Sequence, residues 1–340
     1  MNHKVRQARL GILGCGHFGT LHAEAFSNIR RAKLVGFCNR TIDKAENLRK
    51  RLGGGFATTD PEELIHSKNI DGVIIATHHD THAEFCIKAA LAGKHVLVEK
   101  PLGMSLKECQ KIIEQAGQYA SKISVGYKLR WAPTIQRARE LLSRPLLIIG
   151  QFTEDVWSDT MWQQDPVRGG GSVLGNGCHT LDMIYYLAQS RPIRVYAEGD
   201  ALSHLGHPCL DHMVGTVLFE SGAMGVWIQG QSGTPVRASK YEFSLFGGKN
   251  IAIEIFNRVL NGIYRIDNRI EEMQSSGDQA LFQQALGFVA QICDGAPPLC
   301  GLWEGLLPNL LLEACDRARK SHVAQEIRWN GGKPSIQIDS

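Results

Sequence analysis

Between residue 9 and about residue 125, short apolar runs alternate with stretches whose apolar residues recur at intervals of three and four. The runs Leu10–Leu13, Leu34–Cys38, Gly72–Ala76, His95–Val98 and Ile123–Val125 read as buried strands. His17–Ser27, Lys44–Leu52, Thr81–Ala92 and Leu106–Ala116 read as amphipathic helices between them. Strands alternating with helices at this spacing predict a parallel sheet covered on both faces, and right-handed crossovers make it doubly wound.

After residue 150 the rhythm changes. One helix, Gly177–Ala188, precedes strand-like runs at Arg194–Glu198, Val214–Glu220, Gly225–Gly230, Tyr241–Phe246 and Ile251–Ile255, which predict a mostly antiparallel sheet. Met213–Phe219 is apolar on both alternating faces apart from Gly215 and Thr216. One face is therefore expected to cover helices and the other to meet a second copy, giving a homodimer or homotetramer. Asp278–Cys293 and Gly305–Lys320 read as helices that pack back across the domains.

Composition narrows the class. With 340 residues there is room for two domains, and 43% hydrophobic against 21% charged residues is ordinary for a globular protein. A net charge of only +3, with scattered Lys and Arg, argues against nucleic acid as a partner. No apolar run approaches the roughly 20 residues that span a bilayer. Met1–Gln7 leads into the first strand without the apolar region of a signal peptide, so no membrane association and a cytoplasmic location are expected. Nine cysteines without a C-x-x-C pair suit a reducing compartment.

The first chemistry-bearing motif is Gly14-Cys15-Gly16-His17-Phe18-Gly19, which follows the first strand and opens the first helix. In that setting it reads as a dinucleotide-binding turn. Gly14 permits the tight turn, Gly16 admits a pyrophosphate close to the backbone, and Gly19 lets helix and strand approach, while free N–H groups meet the phosphates. The expected fold is thus α/β, with an N-terminal Rossmann domain (a doubly wound parallel sheet) over residues 1–125. A C-terminal α/β domain with an open, mostly antiparallel sheet, for substrate binding and oligomerisation, is expected over 126–340. An NAD site usually ends its second strand in a carboxylate, but this one ends in Asn39-Arg40-Thr41. A cation with neutral neighbours suits a 2′-phosphate, so NADP is favoured over NAD.

Several blocks then follow in order: Ala76-Thr77-His78-His79-Asp80-Thr81-His82; Gly93 through Val98 to Glu99-Lys100-Pro101; Gly126-Tyr127-Lys128-Leu129-Arg130-Trp131-Ala132-Pro133; and Gly169-Gly170-Gly171 leading to Gly177-Cys178-His179-Thr180-Leu181-Asp182. With the glycine turn, this order resembles the Gfo/Idh/MocA family, named for glucose-fructose oxidoreductase and inositol dehydrogenase. The resemblance implies hydride exchange between a nicotinamide and a sugar-like alcohol or ketone. It implies that Lys100 is the catalytic lysine, that Pro101 shapes the nicotinamide pocket and that His179 acts on the substrate hydroxyl. It also implies that Thr77, His78, His82, Glu99 and Arg130 belong to the cofactor site. Two positions depart from the family's pattern: Gly175 stands where Asp is frequent, four residues before the histidine, and Lys128 stands where Asn is common.

The residue types fit that chemistry. Oxidising a secondary alcohol needs a base for the hydroxyl proton and a donor near the oxygen. Lys100, after a strand's carboxyl end, offers three N–H donors, and an imidazole at position 179 titrates near pH 6.5. Asp182, three residues on, is expected to orient His179. Asp155, Trp157 and Trp162 combine the carboxylates and indole faces that suit a sugar, and Tyr127, Trp131 and Asn176 are second-rank substrate contacts. On a helix, Asn176 would point about 100° away from residue 175, so it is not an obvious replacement for the family's Asp. His204, His207, Cys209, Asp211 and His212 match no established metal-ligand spacing and are expected to form a solvated loop, so no metal site is expected. Two alternatives stay open: a non-catalytic nucleotide-binding sensor or assembly subunit, and an enzyme that keeps its cofactor tightly bound.

Overall fold

The computed structural model describes residues 6–234, 240–248, 250–256, 261–267 and 269–336. Residues 1–5 of the expected lead-in lie outside these. The chain divides into two units, residues 1–127 with 281–305, and residues 128–280 with 306–340.

The first unit runs β1 (Ala8–Leu13), α1 (His17–Ser27), β2 (Ala32–Cys38), α2 (Ile42–Leu52), β3 (Phe56–Thr58), α3 (Pro61–His66), β4 (Gly72–Ile75), α4 (His82–Leu91), β5 (His95–Val98), α5 (Leu106–Ala116) and β6 (Ile123–Val125). Its six strands lie in the order β3-β2-β1-β4-β5-β6, all parallel. Strand order therefore reverses beside β1, and ligands in such sheets bind at the carboxyl ends near that point. The strands are apolar throughout because helices cover both faces: every residue of β4 is buried. Leu10, Ile12, Phe26, Phe37, Ile74 and Leu97 form the centre of the core. Phe288 and Ile292, from the C-terminal part of the chain, close it from one side.

The second unit begins with α6 (Pro133–Leu141), which has proline in its first turn, and β7 (Leu147–Thr153). It continues through α7 (Cys178–Ala188), β8 (Pro192–Asp200), β9 (His212–Phe219), β10 (Met224–Gly230), β11 (Lys240–Gly247), β12 (Ile251–Phe256), β13 (Asn261–Ile266) and β14 (Arg269–Met273). Helix α8 (Gly277–Asp294), which belongs to the first unit from Leu281 on, and helix α9 (Leu302–Ser321) precede the last strands, β15 (Gln325–Asn330) and β16 (Lys333–Ile336). Ten strands form one sheet in the order β14-β13-β12-β11-β7-β10-β9-β8-β15-β16. Only the β7–β10 pair is parallel among the described pairings of this sheet. The expected open, mostly antiparallel sheet is thus present, and it is larger than the sequence pattern indicated.

Burial along β7 alternates strictly, with Ile148, Gly150 and Phe152 inward. Helix α7 lies on that face: a Cβ on Gly150 would come within 2.9 Å of Ile184, and one on Gly225 within 2.6 Å. The opposite face carries Val214, Met224 and Phe246, which are 50%, 56% and 39% exposed. None of the nine cysteines is in a disulfide, and burial pushes the Cys15 and Cys38 thiols up to about 12. Among the described residues, no helix is long and apolar enough to cross a membrane.

Candidate active site

The glycine turn is built by close approach. Gly14 has φ +98°, and a Cβ there would lie 2.4 Å from the Ala76 carbonyl oxygen. A Cβ on Gly19 would lie only 1.7 Å from the Gly14 oxygen, so no other residue lets α1 sit this close to β1. At Gly16, by contrast, a Cβ would meet nothing within 4 Å, leaving open space where the fingerprint requires room for phosphate. Helix α1 starts at Gly16 without a side-chain cap and without an acidic residue in its first turn. A helix start of this kind suits an anion. His17 and Phe18 lie exposed on that turn.

At the end of β2, the Asn39 Oδ1 accepts from the Cys15 amide at 3.1 Å, tying the second strand to the glycine turn. The Asn39 amide nitrogen donates to the Thr41 carbonyl at 3.1 Å, and Arg40 and Thr41 are exposed. Beyond β4, the Thr81 hydroxyl donates to Thr77 Oγ1 at 2.7 Å and to the His78 carbonyl at 2.8 Å, which closes the turn into α4. His82 is fully buried, with Nδ1 2.7 Å from the Pro101 carbonyl and Nε2 3.3 Å from the Thr77 carbonyl. Burial pushes its pKa down, with the Pro101 hydrogen bond opposing, and the short Nδ1 contact to the Pro101 carbonyl ties α4 to the turn after β5.

Glu99 and Lys100 follow β5, 6% and 9% exposed, and the Lys100–Pro101 peptide is cis. The Glu99 carboxylate accepts from the Lys100 amide at 3.2 Å and lies 2.7 Å from Nε2 of His22 on α1. A buried carboxylate needs such partners. The sequence reading missed His22, although a polar residue on the inward side of an otherwise apolar helix is itself a signal. Tyr127 is wholly buried at the end of this unit.

The second unit holds the other candidates. His179 is buried in the first turn of α7, with the Tyr241 ring edge-on at 6.5 Å between centroids. Arg130 and Asp182, expected at the cofactor and beside His179, form a buried ion pair: Nη2 donates to Oδ1 at 2.7 Å, and Nε donates to both oxygens at 3.1 Å. The guanidinium also lies 4.7 Å over the Tyr186 ring. Asn176 stands in a π turn, Val173–Gly177, and its amide donates to Glu154 Oε1 at 2.5 Å. Trp131, Trp157 and Trp162 are half-buried, and Asp155 is exposed, its carboxylate accepting from the Thr234 amide at 3.2 Å.

The stretch expected to be a solvated loop is instead organised around a buried carboxylate. Asp211 is 1% exposed and accepts from the amides of Leu202, Ser203 and His204. His204 Nδ1 lies 2.9 Å and His212 Nδ1 2.6 Å from its two oxygens. Burial raises the Asp211 pKa, but these hydrogen bonds outweigh it and hold the group below the usual carboxylate range. His204 shifts the other way: burial lowers its pKa, but its bonds to Asp211 and to the Trp157 carbonyl exceed that cost and raise it. Among the described residues, no group of three or more His, Cys, Asp or Glu is placed to hold a metal ion.

With this geometry in hand, comparison with known proteins is decisive. Residues 8–127 match the family described as "Oxidoreductase family, NAD-binding Rossmann fold", and residues 136–250 match the GFO/IDH/MocA C-terminal domain. The chain belongs to the GFO/IDH/MocA oxidoreductase family. Within it, the chain is 29% identical over 226 residues to myo-inositol 2-dehydrogenase of Thermotoga maritima, covering 64% of this chain and 67% of that protein. It is 30% identical over 234 residues to scyllo-inositol 2-dehydrogenase (NAD(+)) of Bacillus subtilis, covering 66% and 67%. Among solved structures of the same fold, levoglucosan dehydrogenase in complex with NADH and levoglucosan superposes with a TM-score of 0.84 at 18% identity, covering 94% of this chain and 99% of that one. For a GFO/IDH/MocA oxidoreductase, the open space at Gly16 and the uncapped start of α1 fit the pyrophosphate of a dinucleotide.

The Arg130–Asp182 pair separates a structural role from substrate contact. Asp182→Ala should lower stability by about 3–5 kcal/mol in urea denaturation, because it strands a buried guanidinium. Unchanged stability with lost turnover would instead put Asp182 in substrate binding.

Proposed function

We propose that this chain moves a hydride between a nicotinamide, NADP in preference to NAD, and a hydroxyl or keto carbon of a sugar, cyclitol or sugar derivative. The observation that carries the reading lies in the first unit. An uncapped helix start at an open glycine follows β1, and the buried Glu99-Lys100 step follows β5, both at carboxyl ends of one parallel sheet. The bound nicotinamide would accept or supply the hydride. Lys100 hydrogen-bonds the reacting oxygen, while His179 takes the hydroxyl proton in oxidation and returns it in reduction. Arg40, with the neutral Asn39 and Thr41, receives the 2′-phosphate, and no carboxylate at 39–41 opposes it. The substrate class is supported by the inositol and levoglucosan dehydrogenases among its relatives. The face that carries the exposed Val214 and Met224 and the half-buried Val226 supports a homodimer or homotetramer, and nine cysteines outside any disulfide suit the cytoplasm.

Assayed on inositols, hexoses and their keto forms, Lys100→Ala and His179→Ala should each lose at least about 100-fold in kcat while NADPH still binds. Unchanged turnover removes that residue from the chemistry; tight NADPH binding by the wild type without any turnover points to a non-catalytic sensor. Arg40→Ala should raise the NADPH Kd by about tenfold and leave NADH alone, as read by fluorescence titration; equal effects on both nucleotides contradict the NADP preference. In light scattering, Val226→Glu should release monomers, and an unchanged mass argues against this face as the interface.

A further inference from the structure

One carboxylate in the second unit, outside the Arg130–Asp182 pair, is held almost buried beside the turn that precedes α7. Glu154 directly follows β7, and its amide still bonds the Gly230 carbonyl at 3.1 Å, so the strand's alternation carries through it. Glu154 therefore continues the face of Gly150 and Phe152, the face that α7 covers. Phe152 packs edge-on against Tyr241 at 4.7 Å, and Tyr241 packs edge-on against His179 at 6.5 Å. A continuous row of rings thus joins the neighbourhood of Glu154 to that of His179.

The carboxylate is held from two sides. Asn176, three residues before His179, donates to Oε1 at 2.5 Å, and Lys240 Nζ lies 3.3 Å from Oε2. Only 12% of the Glu154 side chain is exposed. Lys240 has φ +83°, a conformation that an L side chain rarely adopts, and its ammonium also lies 5.2 Å over the Phe152 ring. Non-glycine residues held in such conformations cluster at ligand sites. A carboxylate offers about four acceptor directions, and these contacts use two of them. The neighbouring cation cancels its charge, so the pair suits a neutral diol better than a sugar acid or phosphate.

We propose that Glu154, presented by Asn176 and Lys240, is the substrate-contacting carboxylate of the second unit and selects neutral polyols by accepting their hydroxyl hydrogens. The proposal rests on the polyol oxidoreductase reading above.

Glu154→Gln keeps the shape and the Asn176 neighbour but removes the charge. It should raise the KM for the preferred polyol roughly ten- to hundredfold with a smaller change in kcat, and leave the NADPH Kd unchanged, in a protein that still unfolds cooperatively. Glu154→Asp should recover part of the loss. The wild type should prefer a polyol over its deoxy analogues, and Glu154→Gln should lose that preference at one hydroxyl position. Titration calorimetry of both proteins with myo-inositol, scyllo-inositol and glucose separates the two possible failures. Wild-type binding without turnover, weakened in Glu154→Gln, overturns the hydride reading and leaves Glu154 in place. Equal polyol affinity and an equal KM in a folded Glu154→Gln protein overturn the proposal and leave the oxidoreductase reading intact.

Discussion

The first unit depends on one contact, the seating of Gly19 against the Gly14 carbonyl. Any side chain at position 19 would overlap that oxygen, so the glycine sets how far α1 descends toward β1. Its consequences run along the helix. Residue 22 is on the same face one turn later, so the same descent delivers the His22 ring to Glu99 at 2.7 Å. Glu99 in turn accepts from the Lys100 amide, so the lysine's backbone is fixed by a buried carboxylate. The uncapped helix start and the position of the lysine thus share one cause.

The second unit repeats the device with different residues. Gly150 and Gly225 leave room for Ile184, so α7 lies low on β7 and β10. The helix is then locked by Arg130 on Asp182, a pair whose worth lies in fixing geometry more than in net stability, since desolvating two charges offsets most of their attraction. His179 and the Asn176 turn stand at the start of this fixed helix, and Asp211 organises the neighbouring loops through three backbone amides.

Much of this was legible in the sequence. The five strands and four helices read from the first part all occur, because a two-sided parallel sheet writes itself as apolar runs. The short β3 and α3 escaped because three and six residues carry too little periodicity. In the second part, β7 was hidden by its intermediate residues on the uncovered face, and α6 by its polar run. Glycine spacing and the Glu99-Lys100-Pro101 block marked the candidate dinucleotide end, whose open turn and buried lysine step the fold then places at the carboxyl ends of β1 and β5. The Asp211 cluster did not announce itself: its polar residues resemble a solvated loop, and the partner that buries His204, the Trp157 carbonyl, is 47 residues away. Glu154 was invisible for the same reason, since Asn176 and Lys240 reach it from distant turns.

The central claim is that this fold carries hydride between a nicotinamide and a carbinol carbon. The most direct measurement is incubation with NADPH deuterated at nicotinamide C4 and a panel of keto-sugars and keto-cyclitols, with the products read by mass spectrometry. The account predicts one deuterium on the carbinol carbon of the reduced product. Nucleotide oxidation with no deuterium in the product, or no oxidation with any member of the panel, would contradict it.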